Sequence, residues 1–196
     1  FELKDIIAVL SIESIEVIPV KVEFRESFNE LDLEEIEKFN IDIFIKLGFG
    51  ALFGDLLKVS KYGIWSFHHG DIKVNRGGPP GFWEVLENWD ETGVVLQILN
   101  ESAEGGTVLQ KSYSSTDLTS PNRNKNNYYW KALSFLPSKI EELNKMGPEI
   151  FFQKIEEVNR APQFYSNKLY TTPTNWEMFT LGSKLLLRYL SNKIHY

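Results

Sequence analysis

The chain has 196 residues, of which 42% are hydrophobic and 24% charged, so we expect one globular domain around its own core rather than disorder. Its net charge of −6 argues against nucleic acid as a principal partner, because binding to a phosphate backbone needs a basic surface. The absence of cysteine excludes disulfides, a thiolate nucleophile and cysteine-ligated zinc, and it fits a reducing compartment, which we take to be the cytoplasm.

The N-terminal part of the chain is predicted to hold an irregular strand and then a helix. Residues 15–24 are rich in β-branched side chains around a proline, a pattern that favours an edge-like or irregular strand. Asn29 is a suitable N-cap, and the helix after it would carry Leu33, Ile36 and Phe39 on one face.

A strand, a helix and a second strand are predicted next. Residues 41–47 are β-branched, residues 55–61 favour a short helix, and residues 64–67 favour the next strand. This order is typical of a βαβ unit, so we expect a parallel strand pair joined by a right-handed crossover.

The second half of the chain is predicted to begin with a helix and a hairpin and to end in helices. Residues 82–86 favour a helix, and residues 94–99 and 107–113 favour two antiparallel strands. Residues 121–127 are rich in asparagine and are predicted to form a polar linker. Beyond it we expect a helix at 128–145, broken at Pro137, and a second helix at 148–158. A surface loop at 160–174 should follow. The last helix is predicted to turn one side toward the core, with Met178, Leu181, Leu185 and Leu190.

The hydropathy of the chain and its first residue indicate where the protein acts and whether the sequence is part of a longer one. No apolar stretch approaches the roughly 18 residues that cross a bilayer, and no signal-peptide pattern is present, so we expect no membrane partner. The chain begins with Phe1 rather than methionine, and we interpret it as the tail portion of a longer protein. The sequence does not predict an oligomeric state.

The strongest candidate for chemistry is a histidine at the end of a predicted strand, where a loop rich in glycine and proline begins. His68 can act as a general base or donate a hydrogen bond to a developing oxyanion, because histidine titrates near neutral pH. Ser66 projects on the same side of the extended chain and His69 on the other, since strand side chains alternate. The alternative is that His68 is a satisfied polar residue that closes the strand.

Three loops offer further candidate groups, each with an ordinary structural alternative. Arg76 and Gly77 open an Arg-Gly-Gly-Pro-Pro loop, in which the arginine either binds an anion or pairs with a local acid. The loop at 100–106 carries two carboxylates, which either orient His68 or lie solvated in a hairpin. Residues 48–53 lack the lysine and third glycine of a phosphate loop, and an apolar loop with exposed amides suits a flat heterocycle better.

A metal site is not expected. His68, His69 and Asp71 are all of ligand type, but adjacent strand residues face opposite sides. The third histidine, His195, is distant in the chain. Metal-dependent hydrolysis is therefore the weakest interpretation.

Five ordered segments resemble the catalytic domain of the folate-dependent formyltransferases, which act on methionyl-tRNA, glycinamide ribonucleotide or amino sugars. They are a strand with a glycine-containing loop (43–53), a strand leading to a histidine (64–68), an Arg-Gly-Pro loop (76–80), an Asp-Glu-Thr-Gly-Val segment (90–94) and an acid followed by glycines (104–106). The resemblance, which covers about residues 19–114, implies an α/β fold with a mainly parallel, Rossmann-like sheet. The chain would hold the second half of this fold in residues 1–118 and a helical extension in residues 119–196.

The resemblance also implies roles for individual residues. His68 matches the catalytic histidine, Ser66 stands where the family has an asparagine that donates to the oxyanion, and Glu104 stands where it has an aspartate that supports the histidine. Serine is shorter than asparagine and glutamate is longer than aspartate, so either the geometry has adapted or the activity is altered or absent. The implied pterin slot, held mainly by backbone groups, consists of Gly48, Phe49, Gly50, Ala51, Leu52, Phe53, Asn100 and Glu101, and Arg76 and Gly77 are assigned to the substrate.

We therefore expect formyl transfer from 10-formyltetrahydrofolate, without a metal, to a primary amine of a small molecule such as a nucleotide-linked amino sugar. The part beyond residue 115 does not resemble the barrel appended to methionyl-tRNA formyltransferase, and the acidic charge also argues against tRNA. The alternative is a non-catalytic relative that binds a folate-like or amine ligand.

Overall fold

The computed structural model describes residues 15–23, 25–74, 77–101, 106–160, 166, 168 and 170–194. It is a mixed α/β structure. Its strands are Val20–Val22 (β1), Arg25–Ser27 (β2), Phe44–Lys46 (β3), Ala51–Leu52 (β4), Ile64–His68 (β5), Glu91–Ile98 (β6) and Thr107–Ser115 (β7). Its α-helices are Glu30–Glu37 (α1), Trp83–Glu87 (α2), Pro121–Ala132 (α3), Phe135–Met146 (α4), Pro148–Asn159 (α5) and Asn175–Ile194 (α6), and Gly54–Lys58 forms a 3₁₀ helix.

The larger sheet is mixed, which corrects the expectation of a mainly parallel one. Its strand order is β3-β5-β6-β7, and β3 pairs with β5 in parallel, as the predicted βαβ order requires. The pairs β5–β6 and β6–β7 are both antiparallel. A parallel β6 would need a crossover back to the start of β5. β6 instead begins beyond the end where β5 finishes and runs back along it, with His68 paired to Val95 and Trp65 to Ile98.

A smaller sheet joins the N-terminal strands to the loop after β3. Its order is β1-β2-β4, with Arg25 and Glu26 paired in parallel with Ala51 and Leu52. The predicted strand at 15–24 is shorter than expected, because regular pairing begins only at β1 and Phe24 lies outside the described residues. The two-residue strand β4 was not predicted, since so short a segment carries no periodic pattern.

The predicted linker at 121–127 is wrong, because this segment is the first half of α3. Ser120 caps the helix by accepting from the Asn122 amide, and Pro121 occupies the first turn, where its missing N–H costs nothing. The helix expected at 128–145 is divided between α3 and α4, and Pro137 lies in the first turn of α4. The predicted break in this helix is therefore present, but it lies between Ala132 and Phe135, a few residues before Pro137.

The helices α3, α4 and α5 cover one face of the larger sheet. Trp65 of β5 is fully buried and stacks on Phe151 of α5, with ring centroids 6.1 Å apart. The other buried members of this core are Val94, Leu96, Leu109, Tyr128, Ala132, Phe135, Leu143 and Ile155. The division of the chain at residue 118 stays a prediction, and helices beyond that point share this core with the sheet.

A second cluster joins α2 to the last helix. Its buried members are Phe82, Trp83, Val85, Leu86, Tyr170 and Leu181. In α6, the predicted core stripe is only partly correct: Leu181 is buried and Leu185 packs against the cluster, whereas Met178 and Leu190 are 52% and 47% exposed. Two residues of the predicted stripe remain exposed because α2, which has five residues, is too short to cover the 20 residues of α6.

His69 belongs to the helix-covered side of the sheet. Its ring stacks on Phe67, with centroids 6.2 Å apart, and meets the edge of Tyr129 at 4.6 Å. Burial, and then the neighbouring His68, lowers the pKa of His69 to about 4. The imidazole is therefore neutral in the folded protein at physiological pH.

Replacing Asn124 should destabilise the fold. The fully buried Asn124 donates to Thr92 Oγ1 at 2.9 Å and accepts from the Asp117 amide at 3.1 Å, which ties α3 to β6. Asn124→Ala removes both bonds and leaves the Asp117 amide without this acceptor, while Thr92 keeps its bond to Thr116, so we expect the free energy of unfolding in urea to fall by about 1 to 3 kcal/mol. Asn127→Ala, on the exposed side of α3, is the control. Equal losses in the two variants would contradict this role for Asn124.

His69 should make stability depend on pH between its two pKa values. Because the folded-state pKa is below that of an unfolded histidine, near 6.5, the unfolded chain binds the extra proton in this window. Its contribution to stability is therefore complete above about pH 6.5 and is lost as the pH falls toward 4. Urea unfolding of wild type and His69→Phe at several pH values measures this contribution. The free energy of unfolding of the variant should depend less steeply on pH between 4 and 6.5, and equal pH dependence in the two proteins would refute the assignment.

Candidate functional site

The side chains of β5 alternate between the two faces of the larger sheet. Trp65 and Phe67 pack with the helices, so Ser66 and His68 project from the opposite face. In the strand register, Ser66 pairs with Lys46 of β3 on one side and with Gln97 of β6 on the other. Paired residues share a face, and the structure therefore places a lysine, a serine and a glutamine in one row beside His68.

The hydroxyl of Ser66 is directed toward its own strand. Ser66 is 4% exposed, and its Oγ donates to the carbonyl oxygen of Phe67 at 3.4 Å. His68, two residues on, is half-buried at the end of the strand. The expectation that both side chains lie on one side of the strand agrees with the register, while their catalytic roles stay predictions.

Asp71 and Tyr113 lie on the same face as His68. Tyr113 pairs with Gly93 of β6, and the backbone of Asp71 covers this glycine so closely that an added Cβ would lie 3.0 Å from the Asp71 Cα. Burial, followed by the charge and hydrogen bond of the Asp71 carboxylate, raises the pKa of Tyr113 to about 12. The tyrosine therefore remains a neutral hydrogen-bonding group beside the loop that follows His68.

Lys46 is a charged residue of this face that sequence reasoning missed. It is half-buried at the end of β3, and burial lowers its pKa, an effect that the carboxylate of Glu26 partly offsets. The available signal was positional: Lys46 is the last residue of a strand whose parallel neighbour ends in His68. Without the register, the lysine looks like the ordinary polar end of a strand.

The predicted pterin loop at 48–53 is largely bonded to β2. The Gly50 amide donates to Glu26 Oε2 at 2.7 Å, and this bond is the main reason why the pKa of Glu26 is lowered. The Phe53 amide donates to the Glu26 carbonyl at 3.1 Å, and the Phe53 ring lies under the Arg25 guanidinium at 4.4 Å. Two of the expected free amides are thus already satisfied within the protein.

The remaining predicted site residues are only partly brought together. Gly48 and Phe49 are exposed, with Phe49 edge-on to Phe28, and Asn100 and Glu101 are exposed on the loop after β6. Gly77 faces the last part of the chain, since an added Cβ would lie 1.5 Å from the Tyr170 carbonyl oxygen. Arg76 and Glu104 lie outside the described residues, so the expected support of His68 by Glu104 stays a prediction.

A groove lies on the helix-covered side, away from Ser66 and His68. It has a volume of about 450 Å³ and is lined mainly by apolar and aromatic side chains, among them Leu47, Phe67, His69, Tyr129 and Trp130. Its walls suit an apolar or flat group, and the described residues that line it include no carboxylate. The groove and the Ser66–His68 face therefore open on different sides of β5.

The described residues hold neither a metal-binding cluster nor a membrane-spanning helix. No group of three or more histidine and acidic side chains there is placed to hold a metal ion. Within the same residues, no helix has both the length and the apolar character that a membrane crossing demands.

Comparisons with known proteins identify relatives by sequence. No family model matches the chain. A methionyl-tRNA formyltransferase of Prochlorococcus marinus is 37% identical over 82 residues, which cover 41% of this chain and 24% of that protein. The methionyl-tRNA formyltransferase of Agathobacter rectalis is 34% identical over 95 residues, 48% of this chain and 29% of that protein. The chain thus spans about a quarter of the length of these relatives.

Solved structures give weaker matches. A variant of HypX from Aquifex aeolicus has a TM-score of 0.48 and 15% identity over 74% of this chain and 23% of that chain. The N-formyltransferase from Helicobacter canadensis, in complex with folinic acid and dTDP-3-aminofucose, has a TM-score of 0.45 and 15% identity over 76% of this chain and 58% of that chain. Because these TM-scores lie below 0.5, the relationship rests on the sequence relatives, which confirm that this chain resembles the formyltransferases.

Proposed function

We propose that the protein containing this chain transfers a formyl group from 10-formyltetrahydrofolate to a primary amine of a small molecule. The observation that carries the proposal is the placement of Ser66 and His68 on one face of β5, at the strand end, opposite the helix core. The two sequence relatives described above are both named methionyl-tRNA formyltransferase, and they support the same reaction class.

The reaction exchanges one carbon–nitrogen bond for another. The donor supplies a formyl carbon bonded to its N10. The acceptor nitrogen adds to that carbon to give a tetrahedral intermediate, which then collapses as the bond to N10 breaks. His68 would accept the proton that the acceptor amine loses and return it to N10, so that protons balance. Hydrogen-bond donors on the Ser66 face would stabilise the negative charge that develops on the formyl oxygen.

The loops beside this face offer partial complementarity to a pterin. Phe49 is 40% exposed, and an added Cβ at Gly48 would meet no atom of the described residues within 4 Å, so both leave room for a flat ring. The Gly50 and Phe53 amides are bonded to Glu26, so apolar contact would carry more of the binding than free amides. Asn100 and Glu101 would approach the ring from the loop after β6.

A small amine is the preferred acceptor. The net charge of −6 disfavours a nucleic acid, although the sequence relatives are named for methionyl-tRNA. Amines carried by nucleotide-linked sugars fit this preference. A cytoplasmic location belongs to the same proposal, and the lack of cysteine in the sequence supports it.

A non-catalytic relative is the second candidate. The Ser66 hydroxyl donates to Phe67 rather than projecting toward a ligand, and the family's asparagine and aspartate are replaced by Ser66 and Glu104. Such a protein would bind a folate-like or amine ligand without turnover.

His68→Ala should separate the two candidates. Loss of the proton-accepting group is expected to lower kcat for tetrahydrofolate release by about 100- to 10,000-fold. Calorimetric titration with 5-formyltetrahydrofolate should give a Kd close to wild type, because the pterin would be bound by other loops. His69→Gln, on the opposite face, is the matched control and should keep most of the turnover.

The assay uses the full-length protein and a panel of amines that includes nucleotide-linked amino sugars and methionyl-tRNA. Turnover of His68→Ala at the wild-type rate would refute the role of His68. Binding of 5-formyltetrahydrofolate by wild type without turnover of any amine would favour the non-catalytic candidate, and absence of binding would count against both.

A further inference from the structure

Lys46 lies directly beside Ser66 in the parallel pair β3–β5. The register pairs these two residues, and Gln97 pairs with Ser66 from the other side. Neighbouring strands are about 4.8 Å apart, and paired side chains project from the same face. A lysine side chain therefore easily spans the distance to a ligand atom held above Ser66.

No residue that the structure describes neutralises the ammonium of Lys46 by a direct contact. Toward the described residues it makes no hydrogen bond or ion pair, and the interaction with Glu26 is one of charge at longer range. The Glu26 carboxylate is already bonded to the Gly50 amide at 2.7 Å and paired with Lys21 at 3.2 Å. A half-buried cation without a bonded anion costs free energy, so a gain in fold stability does not account for Lys46.

Ser66 is poorly placed to donate a hydrogen bond to a ligand above the sheet, whereas Lys46 is well placed to do so. The Ser66 hydroxyl is 4% exposed and donates to the Phe67 carbonyl, so it offers little to a group above the sheet. An ammonium gives a charge-assisted hydrogen bond, which is roughly twice as strong as a neutral one. A cation on this face would stabilise an oxyanion more than the neutral carbonyl from which it forms.

We infer that Lys46 is a further catalytic residue, whose ammonium donates to the formyl oxygen as that oxygen gains negative charge. The inference rests on the proposed formyl transfer. It assigns Lys46 the oxyanion-binding task that Ser66 is poorly placed to perform, while His68 retains the proton transfer.

A different role is available for a lysine on β3. This strand lies at the edge of the larger sheet, where charged side chains discourage pairing with other chains. That role would act on aggregation and not on turnover. The two roles are therefore distinguished by kinetics.

Lys46→Met tests the catalytic role in the full-length protein. Loss of one oxyanion donor is expected to lower kcat by about 100- to 1000-fold, with KM for the formyl donor and the Kd of 5-formyltetrahydrofolate nearly unchanged. Lys46→Arg, which keeps the charge, should recover part of the loss. Lys58→Met removes an exposed lysine paired with Asp55 nearby and is the control expected to match wild type.

The outcomes separate this inference from the proposed function. Turnover by wild type together with an unchanged kcat in Lys46→Met would overturn the role of Lys46 and leave formyl transfer standing. Absence of turnover by wild type would overturn formyl transfer and the inference with it. If Lys46→Met is misfolded by circular dichroism, Lys46→Gln replaces it: a kcat near wild type in that folded variant contradicts the need for a cation, and a large loss supports it.

Discussion

The alternation of side chains along β5 is the constraint on which the rest of the molecule depends. Trp65 is fully buried against Phe151, and it fixes which face of the strand meets the helices. Once that face is fixed, Ser66 and His68 must project from the other one, because a strand has a period of two residues. The hydrophobic core therefore determines the direction in which the polar residues project. A shift of the β5 register by one residue would bury His68 among the helices.

The sequence predicted this central arrangement well because its signals are local. The apolar run before His68, the Asn29 cap and the hairpin of β6 and β7 all depend on residues close together in the chain. The parallel pair β3–β5 also follows from element order. Of the site, the shared side of Ser66 and His68 could be predicted from alternation, since that requires no knowledge of the partner strands.

The parts that could not be predicted depend on contacts between distant residues. Residues 121–127 look like a linker by composition, yet Asn124 is buried because Thr92 and Asp117 satisfy its amide. The loop at 48–53 looked free, yet Glu26 bonds its amides from a strand more than 20 residues away. The importance of Lys46 likewise depends on the register with Ser66, which no single segment encodes.

The mixed sheet concentrates the candidate groups at one edge. Open α/β sheets bind ligands beyond the carboxyl ends of parallel strands. Here β3 ends in Lys46, beside Ser66, and β5 ends two residues later in His68. The antiparallel strand β6 starts at that same edge. There the Asp71 backbone packs closely on Gly93, since a Cβ added to this glycine would lie only 3.0 Å from the Asp71 Cα. A fully parallel sheet would send this loop elsewhere. The reversal after β5 thus keeps Asp71 and Tyr113 on the face that presents the lysine and the histidine.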